Sequence, residues 1–402
     1  MPLKSEQKIV AGILMCLAIS AFGSLILAFW LAPAPVEQRL GLSKSGYGQL
    51  EGWKLDFQGR ALTALRRSCA VMERLPETRS IGPDAIGGHA RDWKEACAAS
   101  ESINDQDHAD SRAFFEAWFQ PFLVTYNGDE RGLFTGYYEP TLRGSLTPDT
   151  QYKTPLLASP ADLVHVRLGD FRDRWAGDRI FGRVIGGRLR PYASRAEIAS
   201  GALDGIGLEI MWVDDPIDAF FMHVQGSGRI VLPDGVSTRL GYDGQNGHPY
   251  TSIGRELIND GALTPDAVSM QSIRAWLEMH PSQASDMLNR NASYIFFRIV
   301  DQDGPIGAQN VILTPRRSLA VDNRFIPLGV PMWVETKAPA VKGGDEVLRR
   351  LMITQDTGGA IQGAVRGDVF WGAGPDAAEV AGRMKHEGRY YLLLPRGRAE
   401  NE

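Results

Sequence analysis

Cysteine and histidine are scarce in this chain, which has three cysteines and seven histidines among 402 residues. No two histidines have the H-E-x-x-H spacing of zinc enzymes, and only two cysteines follow residue 16, so a Cys/His zinc cluster is excluded. The stretch QGSGRI at 225–230 has two of the three glycines of a dinucleotide-binding turn, and a G-x-S-x-G nucleophile elbow is absent. We therefore expect neither a metal nor another cofactor.

An excess of basic charge is also missing. The chain has 43 lysines and arginines against 48 aspartates and glutamates, a net charge of −5, and no basic run is interleaved with aromatics. A surface that follows nucleic-acid phosphates needs such a run, so nucleic acid is not an expected partner. The apolar share of 44% and the charged share of 23% are those of a globular protein, and the length favours two domains or more.

An uncharged apolar run occupies residues 9–32. It is long enough to cross a bilayer as a helix, which takes about 20 residues. Two lysines precede it, and the positive-inside rule then places the rest of the chain outside the cytoplasm. Cleavage after APA at 32–34 is disfavoured by the proline that follows, and lipid attachment at Cys16 by the bulky residue before it. We predict that residues 1–35 form a membrane anchor or signal segment.

The two remaining cysteines lie in stretches with a helical pattern, and Leu62, Leu65, Cys69 and Met72 share one face of the first. An exported domain with two cysteines can form one disulfide, so a bridge from Cys69 to Cys97 between two packed helices is one expectation. Two buried free thiols are the other, because cysteine is commonly buried without bonding. The sequence leaves both open.

The character of the sequence changes along the chain. Residues 31–53 are rich in proline, glycine and serine and are predicted to be a tether with little structure. A helical portion follows to about Phe119. From there short β-like runs dominate, among them AFFMHVQGSGRIVL at 219–232 and YYLLL at 390–394.

Two helical inserts interrupt the β-like part. Residues 264–281 have Thr264 as candidate N-cap and Pro281 as the stop. Residues 376–388 place a lysine and a histidine in the last turn, where cations suit the helix dipole. The chain is therefore predicted to be mostly β with helical inserts.

Asp356 and Asp368 stand in one glycine-rich stretch, residues 351–372. Asp356 begins an Asp-Thr-Gly turn like that of an aspartic protease, but such an enzyme needs two turns, and this chain would have to dimerise to supply the second. Asp368 precedes three apolar residues, a setting that disfavours the ionised carboxyl, raises its pKa and suits a general acid. The alternative for Asp368 is a strand-start aspartate that caps a turn.

Four windows place aromatics beside amides, hydroxyls and glycines, at 132–140, 211–229, 240–257 and 291–298. Sugars suit this mixture because their apolar faces stack on rings while their hydroxyls bind polar groups. Each window alone is also compatible with turns and core. Together they favour a glycan ligand.

Taken in order, six motifs resemble the membrane-bound lytic murein transglycosylase A family: TGYYEP, DPIDAFFMHVQGSGR, GYDGQNGHPYTSIGREL, NASYIFFR, DNRFIPLGVPMWVET and QDTGGAIQGAVRGDVFWG. They span roughly residues 130–395. The resemblance implies an exported enzyme without a metal that cleaves the β-1,4 bond between MurNAc and GlcNAc in peptidoglycan. The muramic C6 hydroxyl attacks in place of water and leaves a 1,6-anhydro end.

The resemblance also implies a fold. Residues 36–142 and 293–402 are expected to form a double-psi β-barrel domain with N-terminal helices. Residues 143–292 are expected to form an inserted β-rich substrate-binding domain, with the substrate groove between the two.

By the same resemblance Asp368 is the catalytic acid and base, and Asp356 holds the loop or raises the pKa of its neighbour. The positions expected to bind substrate in the groove are Thr135, Tyr137, Gln225 and Gly359. The expected protein is a periplasmic monomer that acts on peptidoglycan glycan strands, with other cell-wall enzymes as further partners. An aspartic protease and a non-catalytic wall-binding module are the competing hypotheses.

Overall fold

The computed structural model describes residues 40–175 and 178–398 of the chain. The predicted membrane segment, residues 1–35, lies outside the described residues. None of the helices in the described part of the chain has the length and hydropathy that a bilayer crossing requires.

Strands dominate the described residues and lie in three sheets. In chain order they are β1 (Leu40–Lys44), β2 (Phe119–Tyr126), β3 (Gly132–Glu139), β4 (Thr141–Ser145), β5 (Thr154–Leu157), β6 (Val164–Arg167), β7 (Arg179–Ile185), β8 (Arg188–Arg190), β9 (Glu209–Val213), β10 (Gly228–Val231), β11 (Ser237–Gln245), β12 (Ile295–Val300), β13 (Ser318–Val321), β14 (Pro331–Pro339), β15 (Asp345–Asp356), β16 (Arg366–Ala373) and β17 (Lys385–Pro395).

Helices of the described chain precede the second strand, interrupt the middle of the chain and join the last two strands. They are α1 (Gly59–Met72), α2 (Ala90–Glu101), α3 (His108–Trp118), α4 (Arg195–Ala199), α5 (Pro216–Gln225), α6 (Ile253–Asn259), α7 (Met270–Met279), α8 (Pro281–Asn289) and α9 (Pro375–Arg383).

Six strands close into a barrel. The ring runs β3, β16, β13, β15, β14, β17 and returns to β3, because β17 pairs with both β14 and β3. Strand β3 is parallel to β16 and β13 is parallel to β15, whereas the other neighbours in the ring are antiparallel. Closure removes the free edges that an open sheet would expose. The predicted mostly-β fold with a barrel is confirmed.

Helices cover the outside of the barrel. Helix α9 packs against β3 and β16, and α1 packs against β15. Gly136 of β3 allows the close approach of α9, since a Cβ at this position would lie 2.9 Å from the Cα of Ala381. The strands between such covers are buried on both faces, which explains why β14 is apolar over most of its length.

A second sheet is inserted into the chain between barrel strands β3 and β13. Its six strands lie in the order β12, β11, β10, β4, β9, β5, and a small sheet of β6, β7 and β8 belongs to the same part of the chain. The six-stranded sheet has its own core, which includes Leu142, Met211, Ile230 and Phe297. Helix α5 connects β9 to β10, and helices α6 to α8 lie between β11 and β12 in the chain. These four helices share a further core.

The N-terminal helices have the predicted buried face, because Leu62, Leu65, Cys69 and Met72 of α1 all lie in the core. Cys69 of α1 is joined to Cys97 of α2 by a disulfide, with the two Cα atoms 5.5 Å apart. Of the two states that the sequence left open, the structure therefore has the disulfide, which links two helices that pack on the barrel.

The predicted tether at 31–53 is wrong for its described part. Strand β1 pairs with β2 from Leu40 to Lys44, and the turns that follow it bury Leu50 and Trp53. The prediction rested on the glycines and serines of this stretch. It did not consider that one edge of β2 pairs with β17 and that the other edge offers unpaired backbone groups to a short strand.

The first part of the run at 219–232, predicted to be β-like, belongs instead to helix α5. The Asp215 side chain caps it by accepting a hydrogen bond from the Ile217 amide at 2.8 Å, and Pro216 occupies the first helical position. Gly226 ends the helix in the left-handed conformation with φ of 79°. These start and stop signals outweigh the apolar run between them.

The helix predicted at 264–281 begins later and is followed by another. Ser269, not Thr264, caps α7 by accepting a hydrogen bond from the Ser272 amide. Pro281 does not end the helical structure but begins α8, because proline lacks only an amide that the first turn does not use.

The helix predicted at 376–388 ends at Arg383, and Lys385 and His386 belong to β17 instead of a last helical turn. These two residues pair with Thr135 and Phe134 of β3. The pairing closes the barrel, so a tertiary requirement overrides the local helical pattern.

Candidate active site

One level of the barrel wall carries both aspartates. Asp356 ends β15 and pairs with Ala320 of β13; Ala320 pairs on its other side with Asp368 of β16, and Asp368 pairs with Thr135 of β3. Neighbouring strands lie about 4.8 Å apart, so the two aspartate Cα atoms are separated by roughly 10 Å. The four residues lie side by side on one face of the wall, since directly paired residues share a face.

Asp368 is half-buried and receives one side-chain hydrogen bond. The Thr135 hydroxyl donates to its Oδ1 at 2.7 Å, and Arg366 Nη2 donates to the same hydroxyl oxygen at 2.8 Å. Because the arginine occupies a lone pair of Thr135, the hydroxyl proton points to Asp368. Within residues 40–175 and 178–398 no donor reaches Oδ2 of Asp368, so this oxygen is the one available to a ligand.

Asp356 is also half-buried, but both of its oxygens are occupied. The Tyr137 hydroxyl donates to Oδ2 at 2.8 Å, and the backbone amides of Ala308 and Thr357 donate to Oδ1, each at 2.9 Å. Tyr137 belongs to β3, and two strands, β16 and β13, lie between β3 and β15 in the ring, so this hydrogen bond links strands that are not neighbours. Three donors hold Asp356 as an acceptor of fixed orientation.

Burial raises the pKa of both carboxyls. The pKa of Asp356 rises to about 6 through burial, against the lowering effect of its three hydrogen bonds, and the charge of Asp368 adds to the rise. Burial likewise raises the pKa of Asp368, against the charge of Arg366 and the hydrogen bond from Thr135. The apolar surroundings of Asp368 therefore act in the direction expected from its sequence.

By pKa alone Asp356 is as suitable an acid as Asp368, and hydrogen bonding distinguishes the two. Donors occupy three of the roughly four lone-pair sites of Asp356, whereas Oδ2 of Asp368 accepts no hydrogen bond from the described residues. The unoccupied oxygen favours Asp368 as the acid, because a general acid must reach the atom that it protonates.

Arg366 is a site residue that the sequence reasoning missed. It stands two positions before Asp368 on β16, and the alternation of a strand puts both side chains on one face, which is the signal that could have found it. Burial lowers the pKa of Arg366 and the charge of Asp368 opposes this. The amide of Ala308 had no comparable signal, because it lies 48 residues before Asp356 in the chain.

The predicted substrate-binding residues fall into two groups. Thr135 and Tyr137 touch the aspartates, whereas no hydrogen bond of the described residues joins Gln225 or Gly359 to either of them. Gly359 lies exposed in the loop after β15.

Gln225 is the last residue of α5, and its Oε1 accepts a hydrogen bond from the Tyr138 amide at 3.0 Å. The contact ties the inserted part to β3. Gln225 and Tyr138 line a cavity of about 160 Å³ together with Gly136. This cavity lies on the face of β3 opposite to that of Thr135 and Tyr137, since side chains alternate along a strand.

Among the described residues no group of three or more histidine, cysteine or carboxylate side chains is arranged to hold a metal ion. The groups at the aspartates are carboxyls that can transfer protons, positioned by hydroxyl, amide and guanidinium donors.

Two family models match the chain. Residues 133–298 match the MltA specific insert domain and residues 317–394 match the 3D domain. The membrane-bound lytic murein transglycosylase A of Vibrio cholerae is 32% identical over 273 residues, 66% of this chain and 67% of the relative. That of Escherichia coli K12 is 34% identical over 264 residues, 65% of each.

Solved structures agree with these matches. A membrane-bound lytic murein transglycosylase from Agrobacterium tumefaciens is 34% identical, with a TM-score of 0.78 over 90% of this chain and 99% of that chain. MltA from Neisseria gonorrhoeae is 34% identical, with a TM-score of 0.73 over 91% and 96%. E. coli MltA with bound chitohexaose is 28% identical, with a TM-score of 0.60 over 82% and 90%.

The fold and the site thus define a class: a closed six-stranded barrel with an inserted sheet and a pair of half-buried aspartates on one level of its wall. The matches then specify the family. The chain belongs to the membrane-bound lytic murein transglycosylase A family.

Proposed function

We propose that this protein is a lytic transglycosylase that cleaves the β-1,4 bond between MurNAc and GlcNAc in peptidoglycan and leaves 1,6-anhydromuramic ends. The observation that carries the proposal is Asp368 on the barrel wall of a family member, with a raised pKa and one oxygen free of protein partners. A chitohexaose bound to the E. coli relative supports a glycan as the ligand.

Asp368 acts as acid and then as base. Its Oδ2 protonates the oxygen that leaves C1, positive charge develops at C1, and the resulting carboxylate accepts the proton of the muramic C6 hydroxyl as that oxygen bonds to C1. The nucleophile belongs to the substrate, so no second carboxylate is needed to activate water across the ring, as in inverting hydrolases at about 6.5–9.5 Å separation. One reacting carboxyl suffices.

Asp356 is proposed to support this step without exchanging a proton with the substrate. With a pKa of about 6 it is mostly ionised at neutral pH, and the two carboxyls disfavour each other's ionisation because like charges repel. An aspartic protease would need a second Asp-Thr-Gly turn, and the barrel holds one.

The remaining site residues are proposed to bind the glycan. Thr135 and Tyr137 border the aspartates, Gly359 lies in the exposed loop after Asp356, and Gln225 fixes the inserted part beside them. In this proposal the strand lies in a groove between a barrel domain of residues 36–142 and 293–402 and an inserted domain of residues 143–292. The strands from β4 to β12 lie between barrel strands β3 and β13 in the chain and form sheets of their own, which supports that division.

A membrane location remains part of the proposal. The apolar run at 9–32 and the two lysines before it support an anchor that leaves the catalytic part in the periplasm as a monomer beside other cell-wall enzymes.

The test is a product analysis. Purified peptidoglycan is incubated with the protein or with Asp368→Ala, and the soluble products are weighed by mass spectrometry. Muropeptides lighter by one water than reducing-end products, absent with the variant, are expected. Reducing ends would instead indicate a hydrolase, cut peptides a protease, and a folded protein that binds the wall without products a binding module.

A further inference from the structure

A second cleft opens at the other end of strands β13 and β15, with a volume of about 630 Å³. Basic residues dominate its lining, which includes Arg60, Arg316, Arg317, Arg349 and Arg350. Two acidic residues, Asp56 and Asp105, also line it. Positive charge is therefore concentrated here on a protein whose net charge is −5.

The acidic residues of the cleft are already engaged. Asp56 takes a two-pronged ion pair from Arg317, with both N–O distances 2.7 Å. Asp105 accepts hydrogen bonds from Thr63 at 2.8 Å and from Gln106 at 3.0 Å. Arg349 is paired with Glu51 outside the cleft. Each of these carboxylates therefore already has a partner, and none of them forms an ion pair with the other three arginines.

Arg60, Arg316 and Arg350 have no ion pair with any described residue. The Nε of Arg350 is buried without a hydrogen-bond partner, which is costly for a charged donor unless a ligand supplies one. Arg316 has φ of 60°, a strained backbone for a residue with a side chain, and its guanidinium lies 5.1 Å from the ring centre of Trp371.

The rim of the cleft is apolar. Leu55 is 83% exposed, Phe57 58% and Val347 61%. A ligand that fits both features carries anionic groups for the guanidinium forks and aliphatic parts for the rim. Carboxylates match the planar fork of arginine, and short peptides supply carboxylates on an aliphatic frame.

The cleft is separate from the aspartates. Arg350 stands six residues before Asp356 on β15, which corresponds to about 20 Å along a strand. Arg316 likewise lies before the first residue of β13, whereas Ala320 near the end of that strand pairs with Asp368. A ligand in the cleft would therefore bind the protein without touching the reacting carboxyl.

We propose that this cleft is a second, non-catalytic site that binds the carboxylates of peptidoglycan stem peptides. The assignment rests on the proposed function for the choice of peptide, and on the unpaired arginines for the site itself. It gives the protein two points of attachment to the wall, one for the glycan at the aspartates and one for the peptides at the arginines.

The test is calorimetric titration of the full-length protein with a purified, sugar-free stem tetrapeptide. Arg350→Gln and Arg316→Asn remove one guanidinium each, and asparagine tolerates the left-handed backbone at 316. The affinity of each variant for the tetrapeptide should be lower by about tenfold or more, as expected for the loss of a hydrogen bond to a charged group. Arg188→Gln, an exposed arginine of β8 outside the cleft, serves as the matched control and should bind like the unchanged protein.

Two control titrations and three contradicting outcomes decide the proposal. A tetrapeptide with amidated carboxyls should not bind, and added salt should weaken binding of the free acid. Absence of tetrapeptide binding, equal affinity in the arginine variants, or binding of inorganic phosphate alone would overturn the assignment. Cleavage of peptide-free glycan strands by the unchanged protein tests the proposed function on its own, so the failure of one proposal is distinguishable from the failure of the other.

Discussion

Asp356 and Asp368 lie on the same level of one barrel wall, but their carboxyls have different hydrogen-bonding environments. Among the described residues, Asp356 accepts from a tyrosine and two backbone amides, whereas Asp368 accepts only from Thr135, at one of its two oxygens. Burial raises the pKa of both, so burial does not separate their roles. If Asp368 reacts and Asp356 supports it, as proposed, the feature that separates the two roles is the number of donors to each carboxyl.

The largest expected effect comes from replacing each aspartate by its amide. Asp368→Asn should lower the rate of anhydro-muropeptide release by about 10³-fold or more, because the general acid is lost. Asp356→Asn should lower it by about tenfold, because asparagine keeps an oxygen for the two amides and only the charge and one bond change. Initial rates by chromatography measure both, and a larger loss in Asp356→Asn would reverse the roles.

Removal of the Thr135 hydroxyl should have the next largest effect. Thr135→Val keeps the shape of the side chain but leaves Oδ1 of Asp368 without its donor, so kcat should fall by about tenfold. Thr135→Ser keeps the hydroxyl and should retain most of the rate. Equal rates in the two variants would show that the hydrogen bond has no part in orienting the acid.

The pH dependence of kcat should move in opposite directions in two variants. Asp356→Asn removes a negative charge near Asp368, which lowers the pKa of the acid and shifts the alkaline limb to lower pH. Arg366→Gln removes a positive charge that stabilises the ionised form, which raises that pKa and shifts the limb to higher pH. Rate profiles from pH 4 to 9 give both limbs, and shifts of the same sign would contradict the electrostatic account.

The smallest effect concerns stability. The pKa of Asp356 is about 6 in the folded protein against 3.8 in the unfolded chain, so the folded state binds more protons and its stability falls as pH rises between these values. Above pH 6 the buried carboxylate costs about 2 kcal/mol after allowance for partial exposure. Asp356→Asn should therefore raise Tm at pH 7.5 and leave it nearly unchanged below pH 4. A constant difference across this range would show that titration of Asp356 is not responsible.

Part of the fold was accessible from the sequence. The predicted β-like run at 390–394 lies in β17, the end of the run at 219–232 forms β10, and the buried face of α1 follows its spacing. Local signals suffice for these elements because the same residues that favour a strand or a helix also fill the core.

The rest depends on contacts that no local pattern encodes. Thr135 and Asp368 are 233 residues apart, and the link from Arg366 through Thr135 exists only because β3 and β16 are parallel neighbours in a closed ring. The same closure converts Lys385 and His386 from a predicted helix into a strand. Motif resemblance located the aspartates, but only the ring explains which oxygen is free.

The closing strand β17 also determines when the protein can become active. Strand β3, which carries Thr135, pairs with β16 and β17, and both are made more than 200 residues after it. A growing chain therefore has no assembled pair of aspartates and no fixed Thr135, however well its earlier segments have folded. The order of synthesis thus delays assembly of the site until β17 has left the ribosome.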